Sequence, residues 1–276
     1  MSDEKPEIAL RIKTGDFYTN YHEYGTGDTV VMIHGSGPGV SAWANWAKVM
    51  PLLSKSRHVL APDMLGFGYT QRPENPGAAV YSMDVWVQQT LDFFDALGIE
   101  KADLVGNSFG GALALTFAIK YPQRVRKLVL MGSMGVDFPI SKGLDSVWGY
   151  TPSFENMRKL LDVFAYNREL VNDQLAKLRY ESSIQPGFQE SFGAMFPAPR
   201  QRWVKAMAAN EDQIPNITQP TLIIHGREDQ VIPLETSLKI FSLIKDAQLH
   251  VFGRCGHWTQ IEHTEEFSRL VDEFLG

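Results

Sequence analysis

Apolar and polar positions along the chain follow an order that predicts strand, helix and strand again. Residues 8 to 24 alternate loosely and stop at Gly25-Thr26-Gly27-Asp28, which predicts two antiparallel strands and a turn. Thr29 to Ile33 is a continuous apolar run, the pattern of a strand covered on both faces. A helical pattern spans Trp43 to Leu53, and His58 to Pro62 reads as the next strand. Asp84 to Leu97 is periodic and closes at Gly98, a normal helix stop. An apolar strand then enters Gly106, an Ala/Leu-rich helix leaves it, and Val125 to Met131 is a further strand. This alternation predicts an α/β fold: a mostly parallel central sheet with helices on both faces.

From 138 to 210 no convincing strand pattern occurs. Amphipathic helices are expected near 153 to 166, with Met157, Leu160, Leu161 and Phe164, and near 169 to 181, with Leu170, Leu175 and Leu178. The sheet resumes at Thr221 to His225, a helix follows from about Leu234 to Ile244, and Gln248 to Phe252 is the last strand. A closing helix spans roughly Glu265 to Phe274. The expected organisation is an α/β core of residues 1–137 and 211–276, with a helical lid at 138–210. An insertion at this point lies over the carboxyl ends of the strands, where such sheets bind ligands.

The chemistry centres on Gly106-Asn107-Ser108-Phe109-Gly110-Gly111, where strand turns sharply into helix. A serine at such a turn needs small neighbours, and its hydroxyl is lifted clear of the sheet at a helix N-terminus that favours developing negative charge. Ser108 is therefore the expected nucleophile. His34-Gly35-Ser36-Gly37-Pro38-Gly39 lacks the Gly-Lys-Ser/Thr ending of a phosphate loop. It reads instead as half of an oxyanion hole, the amide of Ser36 acting with that of Phe109.

A serine hydroxyl needs a base, and the base needs a carboxylate. Only His257 sits in a glycine-flanked loop between a strand and the last helix, in the expected order of serine, acid, histidine. Glu228 and Asp229 compete for the acid; Asp229 is favoured as the deeper and shorter side chain, while Asp63 precedes the serine. Cys255 stands two positions before His257, but no elbow surrounds it.

The net charge of −6 argues against nucleic acid or an anionic membrane surface as partner. The charged opening Met1 to Pro6 predicts no secretory leader, and no apolar run approaches membrane-spanning length. One cysteine cannot form an internal disulfide, which fits a cytoplasmic location. The histidines are scattered and lack metal-ligand spacing, so no metal is expected.

Five stretches together resemble one narrow group: His34 to Trp46, Ala61 to Gly68, Gly106 to Gly111, Leu222 to Gln230 and Gly256 to Trp258. They are similar to the meta-cleavage product hydrolases of the α/β-hydrolase fold, and the likeness covers nearly the whole chain. The resemblance implies hydrolysis of the C5–C6 bond of a 2-hydroxy-6-oxo-hexa-2,4-dienoate, giving 2-hydroxypenta-2,4-dienoate and a carboxylic acid, in bacterial aromatic degradation. It implies that Asn45, Asn107, Arg179 and Trp258 hold the dienoate carboxylate and dienol, and that Met134, Ile140, Leu144, Trp148, Val231 and Ile232 line the pocket for the C6 substituent. Met134 is bulky, so a small alkyl group is expected there. No cofactor is implied, because the chemistry needs only proton transfers and one electrophilic carbonyl. A homodimer or larger homo-oligomer is implied by the family. Two other readings use the same residues: a general carboxylesterase with the same triad, and a non-catalytic small-molecule binder on the hydrolase fold.

Overall fold

The computed structural model of the protein describes residues 5–74 and 80–276; Met1 to Glu4 of the charged opening segment lies outside them. Eight strands form one sheet: β1 (Leu10–Thr14), β2 (Phe17–Tyr24), β3 (Thr29–Ile33), β4 (His58–Pro62), β5 (Ala102–Asn107), β6 (Val125–Met131), β7 (Thr221–Gly226) and β8 (Ala247–Phe252). Their order is β1-β2-β4-β3-β5-β6-β7-β8. β2 runs antiparallel to β1 and to β4, and every other neighbouring pair is parallel. The chain steps from β3 outward to β4 and then back across β3 to β5. The loops leaving β3 and β5 therefore lie side by side at a topological switch point, the usual ligand crevice of such sheets.

The continuous apolar strands have the physical reason their pattern suggests, since alternate residues enter cores on opposite faces of the sheet. Val31, Ile33, Leu104, Leu128 and Leu130 pack with α3 (Met83–Ala96) and α4 (Phe109–Lys120) on one side. Val30, Met32, Val105, Val129 and Met131 pack on the other with Trp46, Phe267, Val271 and Leu275. The last three recur every fourth residue along α12 (Thr264–Leu275), which explains its amphipathic sequence. α4 is instead buried almost all round, as its uniformly apolar sequence requires.

The single helix expected over Trp43 to Leu53 is two: α1 (Ala42–Trp46) and α2 (Met50–Leu53). Pro51 has no N–H to continue a helix but fits the first turn of a new one, so the break falls just before it. Between β6 and β7 the described residues form α5 (Lys142–Trp148), α6 (Phe154–Phe164), α7 (Asp173–Ser183), α8 (Phe188–Met195) and α9 (Gln201–Met207). The second expected helix starts at Asp173 because Asn172 caps it, its side chain accepting from Leu175 N–H at 2.9 Å; Leu170 belongs to a preceding 3₁₀ turn. Leu178, expected on the apolar face, is exposed. α10 (Leu234–Leu243) and α11 (Thr259–Glu262) complete the helices. No described helix is long and apolar enough to cross a membrane.

Asp63, wholly buried, ties three elements together where the chain leaves β4. It accepts from Ala42 N–H at 2.6 Å, Tyr69 N–H at 2.7 Å and the Asn20 amide at 2.8 Å. Burial raises its carboxyl pKa to about 6, against the opposing pull of those three donors. His34 is also wholly buried, and burial lowers its imidazole to about 4. The neutral ring donates from Nδ1 to Gly35 O at 2.7 Å and accepts Met64 N–H at Nε2 at 2.9 Å.

The two groups act on stability in opposite directions. Native Asp63 keeps its proton up to about pH 6 while the unfolded chain releases it near 3.8, so its contribution falls as pH rises through that window. The unfolded chain protonates His34 below 6.5 while the native ring resists to about 4, so its contribution falls as pH drops. Each window is worth roughly 3 kcal/mol. Asp63→Asn leaves the histidine alone, and the melting temperature of this variant should climb more steeply than that of wild type between about pH 4.5 and 6.5. Calorimetry at both pH values measures the two slopes; parallel slopes refute the assignment.

Candidate active site

The turn from β5 to α4 is built by close backbone approach. A Cβ on Gly106 would stand 2.3 Å from Gly110 O, and one on Gly110 would stand 2.4 Å from Ile33 O. Only glycine allows strand and helix to pack at that distance. Ser108, between them, adopts φ 55° and ψ −113°, a strained conformation for a residue with a side chain. Several backbone bonds hold it there: Ser108 N–H donates to Met131 O at 2.9 Å, and Ser108 O accepts from Gly111, Ala112 and Met134 N–H at 3.1 to 3.2 Å.

The carboxyl ends of β7 and β8 supply the other two groups. Asp229 lies in the loop after β7 with its side chain 1% exposed. Its Oδ1 accepts Val231 N–H at 2.7 Å and Ile232 N–H at 3.0 Å, and its Oδ2 lies 2.7 Å from His257 Nδ1. Glu228 points elsewhere, to the Arg227 guanidinium and to Cys255 N–H. With Oδ1 taken by two amide donors, Asp229 Oδ2 faces His257 Nδ1 as an acceptor, so the ring proton sits on Nδ1 and Nε2 is left free to accept. Ser108 and His257 line one narrow cavity, of about 50 Å³. Among the described residues no hydrogen bond joins them. Asp63 makes no contact with His257; its oxygens are taken by the bonds given above. Cys255 is buried, and burial pushes its thiol up to about 12, far from a thiolate at neutral pH.

The Ser36 loop borders the same cavity. Among the described residues, neither the Ser36 amide nor that of Phe109, the first residue of α4, donates to a side chain or a loop carbonyl. Ser36 Oγ accepts Trp148 Nε1–H at 3.1 Å. Asn45, Asn107, Arg179 and Trp258 also line the cavity. Asn45 Oδ1 accepts from Gly35 N–H at 3.1 Å and from the Asn107 amide at 2.9 Å. Arg179 donates to Ala44 O at 2.7 Å and lies 5.9 Å from the Trp258 ring. Buried atoms on these residues remain without protein partners: Asn45 Nδ2, Asn107 Oδ1 and Arg179 Nε, together with Gln260 Oε1. Each unpaired group costs stability unless something else meets it.

The six residues expected around a C6 substituent divide. Leu144 and Val231 line the cavity; Met134, Ile140, Trp148 and Ile232 do not. Met134 is packed behind the elbow with its N–H on Ser108 O, Ile232 lends its N–H to Asp229, and Trp148 stacks on Phe196 at 4.4 Å. Ile140 donates its N–H to the Gln201 side chain. The wall is completed by Val147 and by Met157, Leu161 and Phe164 of α6. Those three recur at helical spacing, the signal that could have nominated them. Gln260 and Ile261 carried no such signal, because they follow His257 on a single helical turn.

A profile of the alpha/beta hydrolase fold family matches residues 28–264. The chain is 62% identical to the 2-hydroxymuconate semialdehyde hydrolase of Pseudomonas sp. strain CF600, over 98% of this chain and 94% of that protein. It is 58% identical to a 2-hydroxy-6-oxo-2,4-heptadienoate hydrolase of Pseudomonas putida, over 100% and 99%. Among solved structures, a meta-cleavage product hydrolase from Pseudomonas fluorescens, in a serine-to-alanine form complexed with acetates, superposes with a TM-score of 0.95 at 59% identity over 98% of each chain. The 2-hydroxy-6-oxo-6-phenylhexa-2,4-dienoate hydrolase of a Rhodococcus strain gives 0.89 at 30% identity, over 96% and 97%.

Asp229→Asn keeps an oxygen for the two amides but turns an N–H₂ toward His257, which forces the proton onto Nε2. Turnover should fall by about 10⁴-fold with the fold intact. Steady-state kinetics beside circular dichroism checks this; a loss below about tenfold would remove Asp229 from the chemistry.

Proposed function

The chain belongs to the α/β-hydrolase fold family and, within it, to the meta-cleavage product hydrolases, and we propose that Ser108, Asp229 and His257 perform its carbon–carbon hydrolysis on a 2-hydroxy-6-oxo-hexa-2,4-dienoate with a small C6 group. The observation that carries this reading is the shared cavity. It joins Ser108 and His257 to Asn45, Asn107 and Arg179, whose unpaired buried donors, Asn45 Nδ2 and Arg179 Nε, suit a carboxylate and whose unpaired acceptor, Asn107 Oδ1, suits a hydroxyl.

A carbon leaving group must be prepared before it departs. Arg179, with Asn45, Asn107 and Trp258, holds the carboxylate and dienol; a guanidinium fork suits a planar carboxylate. His257 Nε2 takes the dienol proton and returns it to C5, leaving a ketone at C2. Water then adds at C6 with the help of Ser108. The water hydroxyl stays on C6, and its other proton passes to His257 Nε2, which later delivers it to the C2 oxygen. The negative oxygen formed from the C6 carbonyl meets the Ser36 and Phe109 amides. When the C5–C6 bond breaks, its electron pair passes along the conjugated chain to the C2 oxygen, which is reprotonated. The products are 2-hydroxypenta-2,4-dienoate and a carboxylic acid, and all atoms of the water are accounted for.

The helices between β6 and β7 act as a lid over this cavity, and Leu144, Val147, Met157, Leu161 and Phe164 of its wall come from them. Small C6 groups are favoured by the narrowness of the cavity and by Leu144, Val147, Met157 and Val231, rather than by Met134. The two relatives at 62% and 58% identity are named for substrates whose C6 carries hydrogen or methyl. A cytoplasmic homo-oligomer completes the proposal. The lone buried cysteine suits a reducing compartment, and exposed Leu238, Phe241 and Val251 beside the open edge at β8 give a second copy apolar surface to cover.

Loss of the visible colour of the 6-methyl and 6-phenyl dienoates tests the reading, with Ser108→Ala as control. The methyl compound should show a kcat/KM at least tenfold higher, as expected for a pocket that one ring overfills. Bleaching that survives in Ser108→Ala would overturn the nucleophile, and faster turnover of the phenyl compound would overturn the pocket.

A further inference from the structure

The loop that carries His257 is fastened from a side that neither Ser108 nor Asp229 touches. Phe164 O, at the end of α6, accepts both His257 N–H at 2.8 Å and Trp258 N–H at 3.2 Å. The Phe164 and Trp258 rings stack 4.8 Å apart with 6° between their planes. Contact is close enough that a Cβ on Gly256 would stand 2.7 Å from Phe164 O. Glu262, at the end of α11, spans the same junction with both carboxylate oxygens. Its Oε1 accepts Gly256 N–H at 2.7 Å, and its Oε2 accepts Asn167 N–H at 2.7 Å.

The two donors belong to segments about ninety residues apart, one the histidine loop and the other the chain leaving α6. A carboxylate that accepts one backbone N–H from each fixes their separation through two short, charge-assisted bonds. Glu262 itself does not line the cavity. It cannot act on substrate, but it can decide where His257 stands.

We propose that Glu262 is a positioning residue that docks the histidine loop onto the segment Phe164–Asn167, so that the base and this part of the lid are held as one body. This rests on the reading of His257 as the base. Asp229 fixes the ring of His257 through Nδ1, and the Glu262 junction fixes its backbone. The chemistry demands both, because the same nitrogen must reach the dienol oxygen and then C5. Glutamate is required for its reach and its two acceptors: glutamine offers one oxygen and aims an N–H₂ at a backbone N–H, and aspartate is one methylene short of spanning the gap.

Three variants test this in the intact protein: Glu262→Ala, Glu262→Gln and Asn167→Pro. Asn167 has φ −77°, which proline accepts, so the last removes the lid-side donor while leaving the carboxylate in place. With the 6-methyl dienoate, kcat should fall roughly tenfold to a hundredfold in Glu262→Ala and less in Glu262→Gln, the scale expected when a catalytic group is displaced by about 1 Å. KM should change less than kcat, since Asn45, Asn107 and Arg179 lie outside the junction and only Trp258 of the binding set is fastened to it. Asn167→Pro should lower kcat on its own and add little in the double variant with Glu262→Gln, as members of one network do. A purely structural role predicts a lower melting temperature with kcat per folded enzyme unchanged, and that result overturns the proposal; so does a rise in KM at constant kcat. Should Glu262→Ala fail to fold, the other two variants decide. If wild type ignores dienoates but cleaves p-nitrophenyl acetate, and ester kcat falls in the same variants, the substrate reading fails while the positioning role stands. If His257→Ala keeps full activity, the base reading fails and the proposal with it.

Discussion

Strand β5 and helix α4 approach more closely at Gly106 and Gly110 than any side chain would permit, and the geometry of the cavity follows from that contact. The turn between them has no room to relax, so Ser108 is held at positive φ with its carbonyl saturated by three amides. Strain of this kind persists only where the surroundings over-determine it. Here they do so with a buried sheet on one side and an apolar helix on the other. A rigid serine at a helix N-terminus, beside the Ser36 and Phe109 amides that have no protein acceptor among the described residues, is suited to developing negative charge.

The cavity leaves several buried polar atoms unmet. Asn45, Asn107, Arg179 and Gln260 each keep a buried atom without a protein partner, although other atoms of the same side chains are bonded. A core built for stability alone would have paired or replaced them. In the proposed function the donors among them, Asn45 Nδ2 and Arg179 Nε, meet the substrate carboxylate, and the acceptors meet its hydroxyl. Asp229 is the contrast, since its oxygens are taken by two amides and an imidazole. In the proposed function the first set meets the substrate and Asp229 orients the base.

Much of this was legible in the chain itself. Continuous apolar runs marked the central strands, because a strand between two helical layers must be apolar on both faces. Gly106-Asn107-Ser108-Phe109-Gly110 marked the elbow, because no other residues fit a strand and a helix packed at that distance. His257 stood out by its place between a last strand and a closing helix. Asp229 could be favoured over Glu228 by depth and length, yet both readings stayed open until the fold turned one toward the imidazole and the other toward Arg227.

The remainder depended on distances between segments far apart in sequence. The family resemblance placed Met134, Ile140, Leu144, Trp148, Val231 and Ile232 around one substituent. All of them pack in or against one core, yet only Leu144 and Val231 border the cavity, because its wall is set by where the lid helices come down. Nor does any spacing reveal that Glu262 reaches both Gly256 and Asn167, because hydrogen bonds to backbone amides leave no trace in residue type. Periodicity and glycine placement specify the elements and the nucleophilic turn through local sterics and burial. The shape of the cavity, the unpaired atoms inside it and the junction behind the base arise only when the lid folds back over the sheet, since each is a relation between surfaces rather than a property of one segment.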